Sequence, residues 1–123
     1  MKKKIETSLA PKPVGPYSQG LVVGNTIYVS GQVGVDVITG KAPKGIEEQT
    51  KQVLKNIQAI LKCGGATMDD VVKVTVHLSN LKYFEKFNKV YAEFFKEPYP
   101  VRTTIGSELL DKFLVEIDVI AEV

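Results

Sequence analysis

The sequence is poor in several residue types, and each shortage excludes a class of structure or function. It contains no tryptophan and a single cysteine, Cys63, so an intramolecular disulfide cannot form. Cys63 has no partner at metal-ligand spacing and adjoins Gly64-Gly65, a pattern that indicates a buried structural thiol. The 16 basic and 14 acidic side chains leave a net charge of only +2. A balance so close to neutral argues against nucleic acid as a partner.

Long apolar runs are also missing. No run approaches the roughly 20 residues that span a membrane, and no apolar core follows Met1-Lys2-Lys3-Lys4 as it would in a signal peptide. A chain of 123 residues that is 44% hydrophobic and 24% charged has the size and composition of one globular domain. We therefore expect one domain over residues 1–123 in a reducing, cytoplasmic setting, without membrane contact.

Arginine is the scarcest cation, since Arg102 is the only one beside 15 lysines. A guanidinium is a rigid planar fork that binds a carboxylate or phosphate through two parallel hydrogen bonds, which an ammonium cannot do. A lysine-biased composition or a structural ion pair explains a lone arginine equally well. Residue counting leaves these interpretations open.

The patterns that are present predict an α+β domain. Gly24-Asn25 indicates a hairpin turn between apolar runs at 21–23 and 26–29, and residues 31–45 are expected to form a loop. Helical spacing predicts one helix over 46–62 and another from Asn80 to the prolines at 98 and 100. Further strands are expected at 3–7, 72–78, 101–105 and 114–123. The order β-β-β-α-β-α-β-β allows two helices to cover one face of a single sheet.

The second face of that sheet needs another partner. Its expected side chains are too mixed for a monomer core and too apolar for free solvent, so they suit packing between subunits. They are Tyr28, Ser30, Thr75, His77, Thr104 and Glu116. We therefore expect a homo-oligomer with polar pockets between chains.

Strand alternation suggests a partner for the arginine. Arg102, Thr104 and Gly106 share one face of their strand, and Glu116 lies on the polar face of the last strand. If these two strands pair through loop 106–113, Arg102 and Glu116 share the polar face of the sheet. They would form either a cross-strand ion pair, worth at most about 1 kcal/mol when exposed, or an anion grip beside a general base.

Three other side chains give weaker signals. The second predicted helix has a buried stripe of aromatic residues, Phe84, Phe87, Tyr91, Phe94 and Phe95. Asn88 falls at helical spacing with this stripe, where it either caps a loop carbonyl or borders a site. Tyr17, in a proline-braced Gly-Pro-Tyr loop, is either an aromatic wall or a turn residue. His77 is expected to be an exposed strand residue. No cluster of histidine, cysteine and carboxylates predicts a metal site, and Gly31 and Gly34 form no phosphate loop.

Several segments occur in a fixed order along nearly the whole chain. They are Ala10-Pro11, Gly15-Pro16-Tyr17-Ser18-Gln19-Gly20, Ser30-Gly31-Gln32, Gln49-Thr50 with Val53-Leu54 and Asn56-Ile57, Asn88 with Tyr91 and Phe94-Phe95, Arg102, and Val115-Glu116-Ile117-Asp118. No single segment is decisive, but the ordered set resembles the RidA family of reactive-intermediate deaminases, also called the YjgF family.

The resemblance implies a chorismate-mutase-like fold, assembled as a homotrimer with clefts between subunits. It implies hydrolysis of 2-imino acids, such as 2-iminobutanoate and 2-iminopropanoate, to 2-oxo acids and ammonia without metal or cofactor. Such imines and their enamines are released by pyridoxal-phosphate enzymes. Family branches without the arginine are not associated with this activity, which makes Arg102 the deciding position.

The resemblance also assigns roles to residues. Arg102 would hold the substrate carboxylate, and Glu116 would orient and deprotonate the attacking water with help from the main chain at Thr104. Many members have cysteine where this chain has Thr104, and the loop at 107–113 is about one residue shorter than usual. The shorter loop bears on the preferred substrate side chain more than on the reaction.

The other implied positions line the substrate cleft: Ser30 and Gly31 form its wall, Tyr17 closes over the substrate and Asn88 lies at its edge. Two other functions remain open, a non-catalytic ligand-binding or chaperone-like trimer and an RNA-acting translation inhibitor. A chorismate mutase would share only the fold, and fold does not determine chemistry.

Overall fold

Two helices pack on one face of a six-stranded mixed sheet in the computed structural model, which describes all 123 residues. The α+β class and the predicted order of elements are confirmed. Neither helix is long and apolar enough to cross a membrane. The strands are β1 (Lys2–Ile5), β2 (Gly20–Val23), β3 (Thr26–Val33), β4 (Val71–Leu78), β5 (Val101–Gly106) and β6 (Val115–Glu122), and the helices are α1 (Ile46–Cys63) and α2 (Phe84–Tyr91).

The strands lie in the order β1-β2-β3-β6-β4-β5. All neighbours are antiparallel except β4 and β5, which are parallel because α2 provides the crossover between them. Strands β5 and β6 therefore do not pair, and β4 lies between them. The pairing expected through loop 106–113 is wrong, because the crossover places β5 at the edge of the sheet and β6 takes the other side of β4.

Two elements end furthest from the residues that the sequence predicts. Strand β3 continues to Val33, because a bulge between Val29 and Gln32 absorbs the irregularity at Ser30-Gly31 while pairing with β6 continues. Helix α2 ends at Tyr91, well before Pro98, and the chain continues in tight turns in which the amides of Glu93 and Phe94 donate to carbonyls three residues back.

The core lies between the helices and the sheet. Helix α1 turns an apolar stripe toward the sheet, and β6 alternates strictly, so that every second residue from Val115 to Ala121 is buried. Val72 does not join the apolar face of β4 as expected; it is exposed because the register shifts between Val71 and Lys73. The buried side chains that meet include Val53, Leu54, Ile57, Ile60, Ile27, Val74, Val76, Ile117 and Val119.

The opposite face of the sheet has no cover within the chain. Tyr28, Val101 and Ile105 are exposed there, and the alternate residues of β6, Glu116 and Asp118, are only partly buried. This face combines apolar and charged side chains, as the sequence predicts.

Cys63 is exposed, so the prediction of a buried thiol is wrong. It is the last residue of α1, and the buried stripe of that helix runs through Ile60 and Leu61. The next position on that stripe would be residue 64, and Cys63 therefore falls outside it. The Cys63 thiol lies 3.5 Å from the carbonyl oxygen of Glu6.

Candidate active site

Arg102 lies on the helix side of β5, in register with the buried Val74 of β4. Its guanidinium carbon is 4.6 Å from the ring centre of Tyr91, 5.5 Å from that of Phe87 and 5.8 Å from that of Phe84. The three aromatic residues share one face of α2 because they are spaced three and four residues apart. We call Phe84, Phe87 and Tyr91 the aromatic box. A flat cation against aromatic faces is held in one orientation.

The guanidinium has no carboxylate partner within the chain. The three salt bridges all use lysine: Lys4 with Glu6, Lys51 with Glu48, and Lys96 with Asp69. Two buried hydroxyl oxygens on the same side of β5 also lack hydrogen-bond partners, Tyr91 Oη and Thr104 Oγ1. Burial raises the pKa of Tyr91, although the charge of Arg102 and a contact of its guanidinium with the phenol oxygen, which falls outside hydrogen-bond geometry, partly offset the effect, so the phenol stays protonated at neutral pH.

A cleft of about 470 Å³ opens beside this guanidinium and is lined by Asn88, Tyr91, Tyr99, Pro100 and Arg102, among others. Buried polar groups are nearly always paired, so an unpaired cation with two unpaired hydroxyls can receive an anion that carries hydrogen-bond acceptors. The outer edge of β5 has no neighbouring strand, and backbone groups there are free to take part.

Glu116 lies on the opposite face of the sheet, paired with Val33 on one side and His77 on the other. Gly31 makes room for its carboxylate, because a Cβ at that position would lie 2.7 Å from Glu116 Oε2. Glu116, Gly31 and Tyr17 border a cavity of about 670 Å³, which we call the Glu116 cavity.

Ser30 fastens the loop that carries Tyr17. Its hydroxyl donates to the carbonyl oxygens of Ser18, at 2.9 Å, and Gln19, at 3.0 Å, and its backbone N–H donates to Gln19 as well. The hydroxyl of Tyr17 in turn accepts a bond from the Val14 N–H at 3.3 Å. Tyr17 is thereby placed at the mouth of the Glu116 cavity.

The two groups of residues lie apart within one chain. Arg102 is level with Val74 of β4 and Glu116 with His77, which puts their Cα atoms about 14 Å apart at usual strand spacings. Their side chains also point to opposite faces of the sheet, so the expectation that they share a face is wrong. Thr104 was expected on the open face and instead lies with Arg102 on the helix side.

A family model described as Endoribonuclease L-PSP matches residues 7–123. A RutC family protein of Pyrococcus abyssi is 51% identical over 98% of this chain and 96% of its own. A 2-iminobutanoate/2-iminopropanoate deaminase of Dermatophagoides farinae is 44% identical over 95% of this chain and 93% of its own. The crystal structure of RidA from an Antarctic Psychrobacter superposes with a TM-score of 0.94 at 41% identity, covering 98% of this chain and 99% of that one.

The chain belongs to the RidA (YjgF) family. The resemblance found in the sequence is confirmed, and it extends over the whole fold rather than over isolated motifs.

Three buried amides of the RidA segments have a role that the sequence does not show. Gln19 donates to the carbonyls of Thr7, Ala10 and Pro11, and Asn56 donates to those of Val33 and Val35. Gln49 donates to the carbonyl of Pro43 and accepts the N–H of Leu114. All three side chains therefore fix loops, and Gln19 also lines the Glu116 cavity.

The aromatic box is the feature of this RidA-family fold that sequence reasoning missed. The sequence predicts Phe84, Phe87 and Tyr91 as part of a buried stripe, but Phe84 is exposed and the rings hold Arg102. Their spacing with Asn88 on one helix face was the available signal. His77 is partly buried rather than exposed, and its Nδ1 lies 3.0 Å from Ser107 Oγ. No three His, Cys, Asp or Glu side chains converge to hold a metal ion.

Proposed function

We propose that this protein is a 2-imino acid deaminase that hydrolyses 2-iminobutanoate, 2-iminopropanoate and related imines to 2-oxo acids and ammonia. The observation that carries the proposal is the unpaired guanidinium of Arg102, held flat by the aromatic box beside two unpaired buried hydroxyls. Such a group fits a carboxylate, which every 2-imino acid carries next to its reactive carbon. The mite relative bears the name of this activity.

The proposed reaction needs Arg102 and Glu116 on one substrate, although one chain holds them apart. We propose a homotrimer in which the open sheet faces pack together and the free edge of β5, which carries Arg102, meets Glu116 of the next subunit at each cleft. The exposed apolar residues of the open sheet face, such as Val101 and Ile105, would then be buried between subunits. Asn88 and Thr104 would border the cleft with Arg102, and Tyr17, Ser30 and Gly31 with Glu116.

In this cleft Arg102 binds the carboxylate through two hydrogen bonds and fixes the position of the adjacent imine carbon. Glu116 takes a proton from water as the water oxygen attacks that carbon, and the C=N electron pair moves to nitrogen. Glu116 gives that proton to the nitrogen and then carries the hydroxyl proton of the resulting aminoalcohol to the amine, so that ammonia leaves with the C–N electron pair as the C=O bond of the 2-oxo acid forms. One water is consumed, and Glu116 returns to its ionised state.

The test is the release of 2-oxobutanoate from 2-iminobutanoate that threonine dehydratase generates in the assay. We expect the wild type to accelerate release and Arg102→Lys to lower kcat/KM about 10- to 150-fold. An ammonium makes one charge-assisted hydrogen bond to the carboxylate where the guanidinium makes two, and the lost bond is worth about 1.5–3 kcal/mol. Lys86→Ala removes an exposed cation from α2, the helix that carries the aromatic box, and is the matched control. No acceleration by the wild type, or full activity of Arg102→Lys, would contradict the proposal.

The description of the family model names a ribonuclease, and RNA is the second candidate substrate. We favour the imine because the one guanidinium is enclosed by aromatic rings instead of lying in an open basic groove. Cleavage of RNA that is unchanged in Arg102→Ala, without imine hydrolysis by the wild type, would decide for the ribonuclease.

A further inference from the structure

We propose that the site prefers 2-imino acids with large apolar side chains, of the kind that oxidation of leucine or phenylalanine produces, over the small 2-iminobutanoate. This inference rests on the proposed function and concerns the substrate side chain alone. The observation behind it is the Glu116 cavity, which apolar side chains of several loops line together with the carboxylate.

The volume of the cavity exceeds what a small imino acid needs. At about 670 Å³ it falls within the roughly 300–1,000 Å³ typical of pockets that enclose drug-sized ligands. The carboxylate of the substrate would be held by the partner subunit's Arg102 and its imine carbon by the water on Glu116. The substrate side chain is then the part left to occupy the remaining space.

The walls of that space are mainly apolar. Val14, Val35, Val37, Leu110 and Phe113 line it, and the charged side chains of Lys12 and Asp111 border it as well. Leu110 is 81% exposed and Val14 is 93% exposed in the single protomer, so a ligand there removes apolar surface from water.

The walls are also held in place before any ligand binds. The buried amide of Gln19 fixes the segment before Val14, and Asn56 binds the carbonyl oxygen of Val35 itself. Gln49 holds the N–H of Leu114, directly after Phe113. A cavity whose loops are fastened to the core loses little entropy when it takes a ligand.

Backbone strain marks the loop that supplies Leu110 and Phe113. Asp111 and Lys112 have φ of 50° and 61°, the left-handed region that residues with a side chain seldom adopt. Their conformation turns the chain so that the residues before and after them both line the cavity. Strain of this kind persists where the surrounding structure enforces it, and it clusters at binding sites.

The test compares kcat/KM for imines made in the assay by an L-amino acid oxidase from leucine, phenylalanine and 2-aminobutyrate, with trapping as semicarbazones. We expect the wild type to prefer the leucine-derived imine over 2-iminobutanoate by at least about tenfold, since each methylene in an apolar pocket is worth about that factor. Leu110→Ser should lower this ratio about fivefold, and Phe113→Ala should lower it further.

Ile38→Ser is the matched control for Leu110→Ser. Ile38 is 90% exposed on the neighbouring loop and does not line the cavity, so the ratio should not change. A wild type that prefers 2-iminobutanoate, or an unchanged ratio in Leu110→Ser, would overturn this inference while the deaminase stands. Failure to hydrolyse any of the three imines would instead overturn the proposed function, and this inference with it.

Discussion

The separation of Arg102 and Glu116 within one chain gives a sharp test of where the active site lies. Arg102→Ala removes the carboxylate anchor, and Glu116→Gln removes the general base without changing the shape of the side chain. Each variant alone should be inactive. If every cleft takes Arg102 from one subunit and Glu116 from the next, a trimer that contains both variants has intact clefts even though no chain in it is intact.

The recovered activity follows from counting clefts. In a cyclic trimer of both variants, the two kinds of subunit meet in the productive order at one cleft of the three. Random assortment of equal amounts, including trimers of a single variant, leaves about one cleft in four intact. A site built within one chain would recover nothing, because no chain in the mixture carries both Arg102 and Glu116. Such a site is also at odds with the fold, which holds the two residues about 14 Å apart and on opposite faces of the sheet.

The assay uses two affinity tags. Both variants are produced together with different tags, trimers that carry both tags are isolated, and 2-oxobutanoate release from 2-iminobutanoate is measured per subunit. We expect about a third of the wild-type rate, against background for either variant purified alone. Background activity in the doubly tagged trimers would refute the shared cleft.

Two further substitutions test the surroundings of Glu116. Gly31→Ala should lower kcat about 10²–10⁴-fold, as loss of a general base does, because the new Cβ would displace the end of the Glu116 side chain. Tm should change little, since nothing else is displaced. Gly15→Ala, whose Cβ meets nothing closer than 3.6 Å, is the control for folding. Burial raises the pKa of Asp118, an effect that His77 and Lys73 only partly offset, so the folded chain binds its proton more tightly than the unfolded chain. The free energy of unfolding of the protein therefore falls as pH rises from about 4, the usual pKa of aspartate, through the raised pKa of Asp118. Asp118→Asn removes this titration, so it should raise Tm at pH 7 but not below pH 4. A lower Tm at pH 7 would contradict this.

Local patterns were enough to predict most of the elements. Period-3.6 spacing predicted α1 to within one residue at its end, and Gly24-Asn25 marked the hairpin between β2 and β3. The predictions failed where long-range contacts override local preference. Gly31 looks like a strand breaker, but β3 continues beyond it because it pairs with β6. No residue at the end of α2 indicates that the helix stops at Tyr91.

The candidate site was predictable residue by residue but not as an arrangement. Arg102 was marked by its rarity and Glu116 by alternation, and the ordered RidA segments named both. The aromatic box was hidden, because rings at helical spacing look the same whether they fill a core or hold a guanidinium. The bracing by Gln19, Gln49 and Asn56 was hidden for a similar reason: the position of an amide in a loop or helix does not reveal which distant carbonyl it binds.

The sequence by itself therefore determined the fold class and the family, and it named the residues of the candidate site. Alternation also determined that Arg102 and Thr104 point to the same side of their strand. Only the tertiary structure decided that this side faces the helices, while Glu116 faces the open surface. The reason is that alternation orders side chains within one strand, whereas the strand that lies next to it, and the face that the helices cover, depend on pairing between distant segments. Here β4 lies between β5 and β6, and that one pairing moves the two residues from a shared face to opposite faces of the sheet.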